Sequence, residues 1–177
     1  MTELMAKTSI CAVCAQNGPT CCQLRQEYAD LSFPLSTVEK ETIAAYERWK
    51  GVFFIVQAPN SVQLISRLGF LFPDDLDTIK TLFPENGRHE RLLTNKLGHC
   101  VFLGPMGCLL PGNARPLYCR LFPFWVIGGR VAFFPFDLCQ AQKGTRSVKK
   151  VMMRLQVDIS QILPLYNALR RAWLLDE

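Results

Sequence analysis

The N-terminal part of the chain is organised around Cys11-Ala-Val-Cys14, which is followed after six residues by Cys21-Cys22. Thiolate sulfur is soft and negatively charged, so it binds zinc and iron well, and a Cys-x-x-Cys spacing brings two sulfurs to one ion with little strain. Adjacent cysteines usually point apart, which suits a site with more than one metal ion or with bridging sulfurs. We therefore interpret these four thiols as the first half of a larger metal site.

A second group of cysteines lies far along the chain. Around Gly104-Pro105-Met106-Gly107 the sequence predicts a tight hairpin in which Leu103 faces Cys108. Because side chains alternate along a strand, a regular hairpin would place Cys100 and Cys108 on opposite faces. Either the hairpin is bulged or very short, or these two cysteines bind different metal ions. We favour a short, distorted hairpin whose open end faces the N-terminal loop. In this interpretation, bound metal holds the N-terminal loop against the distant part of the chain that carries the second group of cysteines.

Together the two groups give eight candidate metal ligands: Cys11, Cys14, Cys21, Cys22, Cys100, Cys108, Cys119 and Cys139. Eight thiols match two four-thiolate sites, one cluster with spare thiols, or a shared multinuclear site. A redox dithiol is disfavoured, because residues 2–10 make a poor strand and Gly18-Pro19 would interrupt a following helix. Four structural disulfides are disfavoured in a chain of this length that has no recognisable secretion signal.

The most specific block of the sequence combines Arg115-Pro116, Cys119-Arg120 and Phe122-Pro123-Phe124. With the Cys-x-x-Cys, the Cys-Cys pair and Gly107-Cys108, it resembles the YkgJ-type cysteine-cluster family over about residues 11–124. The resemblance implies chelation of zinc or iron, or an iron–sulfur cluster, through these thiols. The six-residue gap before Cys21 is longer than the family's usual spacing. A flagellin lysine methylase has a similar cysteine pattern, which implies an iron–sulfur-dependent enzyme as an alternative.

Side chains beside the cysteines have two interpretations each. Arg115 and Arg120 bracket Cys119, so their guanidinium groups can hydrogen-bond to the sulfurs and lower their pKa, or they can pair with surface carboxylates. His99 is either a further ligand or an ordinary strand histidine, and we favour the second. Six aromatic residues either shield the site from water or form plain core: Phe122, Phe124, Trp125, Phe133, Phe134 and Phe136.

Length and composition predict one α+β domain over residues 1–177, with a motif core at 11–139 and a C-terminal helix at about 145–174. The chain has 177 residues, of which 49% are hydrophobic and 20% charged. Its net charge of +5 lacks a dense basic run interleaved with aromatic residues, so we expect no nucleic-acid partner. The most apolar window, 117–136, contains charges and helix breakers, so we expect no membrane partner and a cytoplasmic protein. The expected partners are metal ions, and no protein partner is identified.

Local patterns predict the elements around the site. Residues 8–30 are expected to form an irregular loop, and Ser36 to cap a helix from Thr37 to Trp49. A helix is predicted at 74–83, a polar connection at 85–96, and a hairpin around Gly128-Gly129. The C-terminal helix is expected to break or kink at Pro164 and to resume to Trp173. Its predicted buried stripe consists of Met152, Leu155, Ile159, Ile162 and Leu163.

We therefore predict a metal-binding protein that chelates zinc or iron through clustered thiolates. One alternative is the enzyme named above, although the sequence offers no nucleophile–base pair around His89 or His99 and no glycine-rich phosphate loop. The other alternative is a protein-interaction module in which zinc only fixes the loops.

Overall fold

The computed structural model describes residues 10–24, 32–46 and 51–175. It is an α+β structure, as predicted. Its helices are α1 (Ile10–Asn17), α2 (Thr37–Ala44), α3 (Val62–Leu71), α4 (Leu76–Leu82), α5 (Leu117–Leu121), α6 (Val148–Leu155) and α7 (Ile159–Ala172), with a 3-10 turn at Pro73–Asp75. Its strands are β1 (Ile55–Pro59), β2 (Arg88–Leu92), β3 (Leu103–Gly104), β4 (Gly107–Cys108), β5 (Phe124–Ile127) and β6 (Arg130–Phe133). These pair as three separate antiparallel two-stranded sheets, β1–β2, β3–β4 and β5–β6.

The main hydrophobic core lies between α3, α4, the β5–β6 hairpin and the C-terminal helices. Trp125 is its centre, with a ring that makes an edge-on contact to Phe72 at 5.4 Å between centroids. The indole N–H donates a 3.0 Å hydrogen bond to the Leu71 carbonyl oxygen, so the one polar atom of this buried side chain is satisfied. Phe124 and Trp125 are each 1% exposed, which makes them core residues and not a shield over the thiols.

A smaller cluster lies beneath the second group of cysteines. It contains Ile43 from α2 together with Phe54, Phe102 and Leu110, and the side chains of Cys100 and Cys108 pack against it. Ser36 caps α2 through the predicted box with Glu39. The helix ends at Ala44, earlier than expected, and residues 47–49 of the prediction lie outside the described part.

The prediction of a polar connection at 85–96 is wrong, because Arg88–Leu92 forms β2 and pairs with β1 from Ile55↔Leu92 to Pro59↔Arg88. The amino-acid composition of this strand is not typical of a half-buried strand, so the sequence did not predict it. His89 and Arg91 are its buried residues, and the His89 imidazole nitrogen Nδ1 lies 3.0 Å from the Asn60 side-chain oxygen. Polar side chains on the inner face remove the alternation of apolar and polar residues by which a half-buried strand is recognised.

The C-terminal helix does not break at Pro164, which was one of the two outcomes predicted there. The chain breaks at Gln156, which has a left-handed φ of +56°, and Asp158 with Gln161 forms a new capping box for α7. Pro164 lies inside α7. The buried stripe shifts with the break: Val151, Ile162 and Leu169 are at most 1% exposed, whereas Ile159 and Leu163 are 55% and 42% exposed.

The β5–β6 hairpin agrees with its prediction. Ile127 pairs with Arg130, and both turn residues, Gly128 and Gly129, have positive φ angles of 53° and 73°. Two successive positive φ angles match the twist of the flanking strands, which explains why this Gly-Gly pair is such a strong hairpin signal. No helix in the described ranges has the length and apolar character needed to cross a membrane.

Candidate metal centre

The first two candidate ligands lie on a helix. Cys11 and Cys14 are three residues apart in α1, so they share one face of it, and the predicted irregular loop is wrong for residues 10–17. The Gly18 N–H donates to the Cys14 carbonyl oxygen at 2.8 Å, and Gly18-Pro19 then ends the helix. The turn signal was correct, but the apolar residues before it were too few to reveal a helical pattern.

The next segment docks on the far half of the chain through its backbone. The Cys100 N–H donates to the Cys22 carbonyl oxygen, and the Leu24 N–H to the Gly98 carbonyl oxygen, each at 2.8 Å. Gln23 and His99 form the antiparallel bridge between them, with the Gln23 Nε2 3.1 Å from the His99 Nε2. A Cβ at Gly98 would lie 1.7 Å from the Leu24 carbonyl oxygen, so only glycine permits this approach. We call the pairing of 22–24 with 98–100 the latch.

The β3–β4 hairpin is very short, as expected because a regular hairpin would place Cys100 and Cys108 on opposite faces. Leu103 pairs with Cys108 and Gly104 with Gly107, as predicted, and Cys100 lies before the strand in a bridge to Thr94. The hairpin also faces the N-terminal segment, because a Cβ at Gly107 would be 3.4 Å from Cys11. The Gln16 amide donates to the Met106 sulfur at 3.2 Å at the same contact.

The remaining two cysteines come from the second half of the chain. Cys119 lies on α5, whose first residue, Leu117, donates its N–H to the Glu39 carboxylate at 2.7 Å. Cys139 follows β6 in a turn, where its N–H donates to the Phe136 carbonyl oxygen at 2.8 Å. The backbone N–H of Gln140 lies close enough to the Cys14 sulfur to oppose the rise in its pKa that burial causes, which places this turn beside α1.

All eight predicted cysteines lie near enough for their charges to interact. Cys22 interacts with six of the others, Cys11, Cys14, Cys21, Cys100, Cys108 and Cys119. Cys139 interacts with Cys11 and Cys14. All eight cysteines are free, and the residues Cys11, Cys21 and Cys119 have exposed surface, although the protein around the Cys119 sulfur removes enough water to raise its pKa strongly. Interactions between the thiols therefore connect five separate segments of the chain.

The site keeps most of its thiols protonated. Loss of water around the sulfurs raises the pKa of Cys11, Cys14 and Cys108, raises that of Cys119 strongly, and raises that of Cys100 to about 12. Cys22 is the exception. The Cys21 S–H donates to its sulfur, which raises the pKa of Cys21 and lowers that of Cys22 to about 7, with help from the Arg115 charge and the Thr20 hydroxyl.

Arg115 is the cation among the thiols. Its Nε donates to the Leu110 carbonyl oxygen at 3.0 Å. Its charge contributes to the lowered pKa of Cys22 and opposes the rise that burial causes in the pKa of Cys11 and Cys108. Arg120 is exposed on α5. The described contact of the His99 ring is to Gln23. Glu39 was missed as a site residue, because its capping-box role accounted for it fully and only the structure reveals its bond to α5.

Within residues 10–24, 32–46 and 51–175, no three His, Cys, Asp or Glu side chains are gathered closely enough to hold a metal ion in this arrangement. The donor set nevertheless fits a soft metal in its chemistry, since thiols from five segments lie beside one cation. Neutral thiols do not attract one another, and thiolates repel one another. A metal cation that displaces the thiol protons is therefore needed to bring the sulfurs within coordinating distance.

Comparison of the chain with protein-family models, with curated proteins and with solved structures gives no match. The family resemblance drawn from the cysteine pattern therefore stays a prediction.

Proposed function

We propose that this protein binds zinc or iron, the latter as an iron–sulfur cluster, through its clustered cysteine thiolates. The observation that carries the proposal is that interactions connect all eight cysteines. These cysteines come from α1, the latch segment, the β3–β4 region, α5 and the turn at 139, and they lie up to 128 positions apart in the sequence. Packing alone gives no reason to bring eight thiols near one another. A thiophilic ion supplies one.

The chain's own residues would prepare the site for that ion. Cys22, with a pKa of about 7, offers a thiolate at neutral pH and is the natural first ligand. Arg115 offsets part of the negative charge that accumulates as further thiols lose their protons. The position of Cys22 among six other thiols supports an arrangement with more than one metal ion in preference to a single tetrahedral ion, which needs only four ligands.

We place the protein in a reducing compartment such as the cytoplasm, because eight free and partly exposed thiols would otherwise be oxidised. The metal would serve folding, storage or electron transfer. An iron–sulfur-dependent enzyme related to flagellin lysine methylases and a zinc-stabilised interaction module are the alternatives, and the metal itself separates them. Zinc has no redox chemistry, so a zinc protein excludes the first.

The test is anaerobic purification followed by an absorption spectrum and measurement of zinc, iron and acid-labile sulfide. A brown protein with iron and sulfide supports a cluster, and a colourless one with stoichiometric zinc supports a structural site. Protein without bound metal, which also fails to take up zinc or a reconstituted cluster, would overturn the proposal.

A substitution connects the metal to this site. Cys119→Ser is expected to lower the metal content or the affinity, because one thiolate is lost from the set. Leu97→Ser, at a side chain 76% exposed and outside the set, is the control and should retain full metal. If both variants bind as much metal as the parent, Cys119 is not a ligand.

A further inference from the structure

The positive charge of the chain is concentrated in one segment. Residues 138–157 contain five basic residues and no Asp or Glu, whereas the rest of the chain has fifteen of each sign. We call this set the basic face; it consists of Lys143, Arg146, Lys149, Lys150 and Arg154. In the described part of the chain, the ion pairs are Lys40–Glu90 and Arg170–Asp75, so no carboxylate there forms an ion pair with the basic face.

The basic face surrounds an exposed apolar side chain. Helix α6 buries Val151, which is fully inaccessible, and turns Lys149, Lys150 and Arg154 to solvent. Met153 is 71% exposed and lies one turn beyond the two lysines on the same side of the helix. A protein-docking surface commonly has this composition, with an apolar anchor at the centre and charged residues around it.

The basic face also adjoins the thiols. The Arg154 guanidinium Nη1 donates to the carbonyl oxygens of Ala141 and Lys143, at 3.0 Å and 2.7 Å, so α6 is attached to the turn that carries Cys139. The backbone N–H of Gln140, in the same turn, lies close to the Cys14 sulfur. A molecule bound to the basic face would therefore sit at the rim of the thiol site.

We propose that the basic face is the docking surface for an acidic protein, one that presents an apolar side chain to Met153. Charge complementarity selects an acidic partner and steers it to the surface. A nucleic acid fits less well, since α6 is only about 12 Å long and residues 138–157 contain no aromatic residue for base stacking. An anionic membrane fits less well because the apolar side of α6 is buried in the core.

The test uses two short glutamate-rich peptides that differ only in a central leucine or serine. Binding to the purified full-length protein is measured by fluorescence anisotropy at low salt and at about 0.5 M salt, where screening is strong. The leucine peptide should bind more tightly than the serine peptide, and both should weaken at high salt. The double variant K149E/K150E should bind either peptide about tenfold or more weakly, because two attractive charges become repulsive.

The matched control is K80E/K96E, which makes the same change in net charge at two exposed lysines outside the basic face. It should bind the peptides like the parent, and thermal melts of both variants establish that they fold. Met153→Ser should abolish the preference for leucine over serine and leave the salt dependence unchanged.

Several results would overturn the proposal: no peptide binding at low salt, an equal loss in the control, or an undiminished leucine preference in Met153→Ser. Tighter binding to duplex DNA or to phosphatidylserine-containing vesicles than to the peptides would also overturn it and would identify the other kind of partner. The docking proposal is independent of metal, because it does not require the thiols to be loaded.

Discussion

At Cys22, two hydrogen-bond donors and one cation act on a single sulfur. The Cys21 thiol and the Thr20 hydroxyl donate to it, and Arg115 adds its charge, so the pKa of Cys22 falls to about 7 while burial raises those of its neighbours. Sequence spacing predicted all eight cysteines as candidate ligands but did not predict that their thiols differ in pKa. The difference between Cys21 and Cys22 depends on which way each adjacent side chain points, and spacing carries no such information.

In the metal-free protein, we expect Cys22 to be alkylated first by iodoacetamide, with a half-maximal rate near pH 7, because the thiolate is the reactive form. Arg115→Gln should move this midpoint to higher pH, since the cation that favours the thiolate is lost. Arg120→Gln, at an exposed arginine of the same region, is the control and should not move it. The measurement is mass spectrometry of labelled peptides over pH, and earlier labelling of Cys100 would contradict the expectation.

Glu39 connects two elements through one buried carboxylate. It accepts hydrogen bonds from the Ser36 N–H at 2.8 Å, the Ser36 hydroxyl at 2.6 Å and the Leu117 N–H at 2.7 Å. Because Leu117 begins α5, Glu39 holds the helix that carries Cys119. It thus acts on the site by positioning, through α5.

We expect Glu39→Ala to lower the free energy of unfolding by about 2–3 kcal/mol, since hydrogen bonds to a charged group are lost and buried donors are left unpaired. Denaturant unfolding measures the change. Glu41→Ala, on the exposed side of the same helix, should cost well under 1 kcal/mol. A similar small loss in both variants would mean that the carboxylate does not hold α5.

At the scale of elements, the sequence predicted those whose signal is local. The Ser36 capping box, the Gly128-Gly129 hairpin and the 103↔108 register all depend on a few neighbouring residues, and all are present. Strand β2 was missed because its buried side chains are polar and its partner β1 lies some thirty residues earlier. The break at Gln156 was missed because Pro164 is the stronger local signal, although the fold accommodates it inside α7.

A single substitution at Gly98 tests whether the backbone pairing of the latch contributes to stability. We expect Gly98→Ala to destabilise the protein strongly, because its Cβ would collide with the Leu24 carbonyl oxygen and φ at this position is +78°. Gly144→Ala is a matched control, since φ is +69° there and a Cβ would meet nothing within 4 Å. The control should cost about 1–2 kcal/mol for the left-handed backbone alone. Equal losses in thermal melts would mean that the close approach contributes nothing.

At the scale of the molecule, the cysteines contact both hydrophobic clusters. Cys139 packs against the main core around Trp125, whereas Cys100 and Cys108 pack against the smaller cluster of Ile43, Phe54, Phe102 and Leu110. Because these side chains are packed into the fold, the pKa values of buried thiols enter the stability of the whole chain.

We expect the metal-free protein to lose stability in alkaline solution. Cys100 has a folded pKa of about 12 against an ordinary value of 9.0, so the folded state retains a proton that the unfolded state releases. The stabilisation is therefore complete below pH 9 and is lost as the pH rises towards 12. Thermal melts across this range test it. Metal-loaded protein should lack this loss, and a metal-free protein that is equally stable at pH 8 and pH 11 would contradict it.

The latch joins two parts of the chain that are made at different times. Cys22 and Cys100 are separated by 77 residues, so at about 5–20 residues per second the first four thiols leave the ribosome roughly 4–15 seconds before the partner segment does. During that interval Cys11, Cys14, Cys21 and Cys22 face the cell without their counterparts. A site that uses all eight thiols can therefore be completed only late in biosynthesis, after the segment that carries Cys139 has been synthesised.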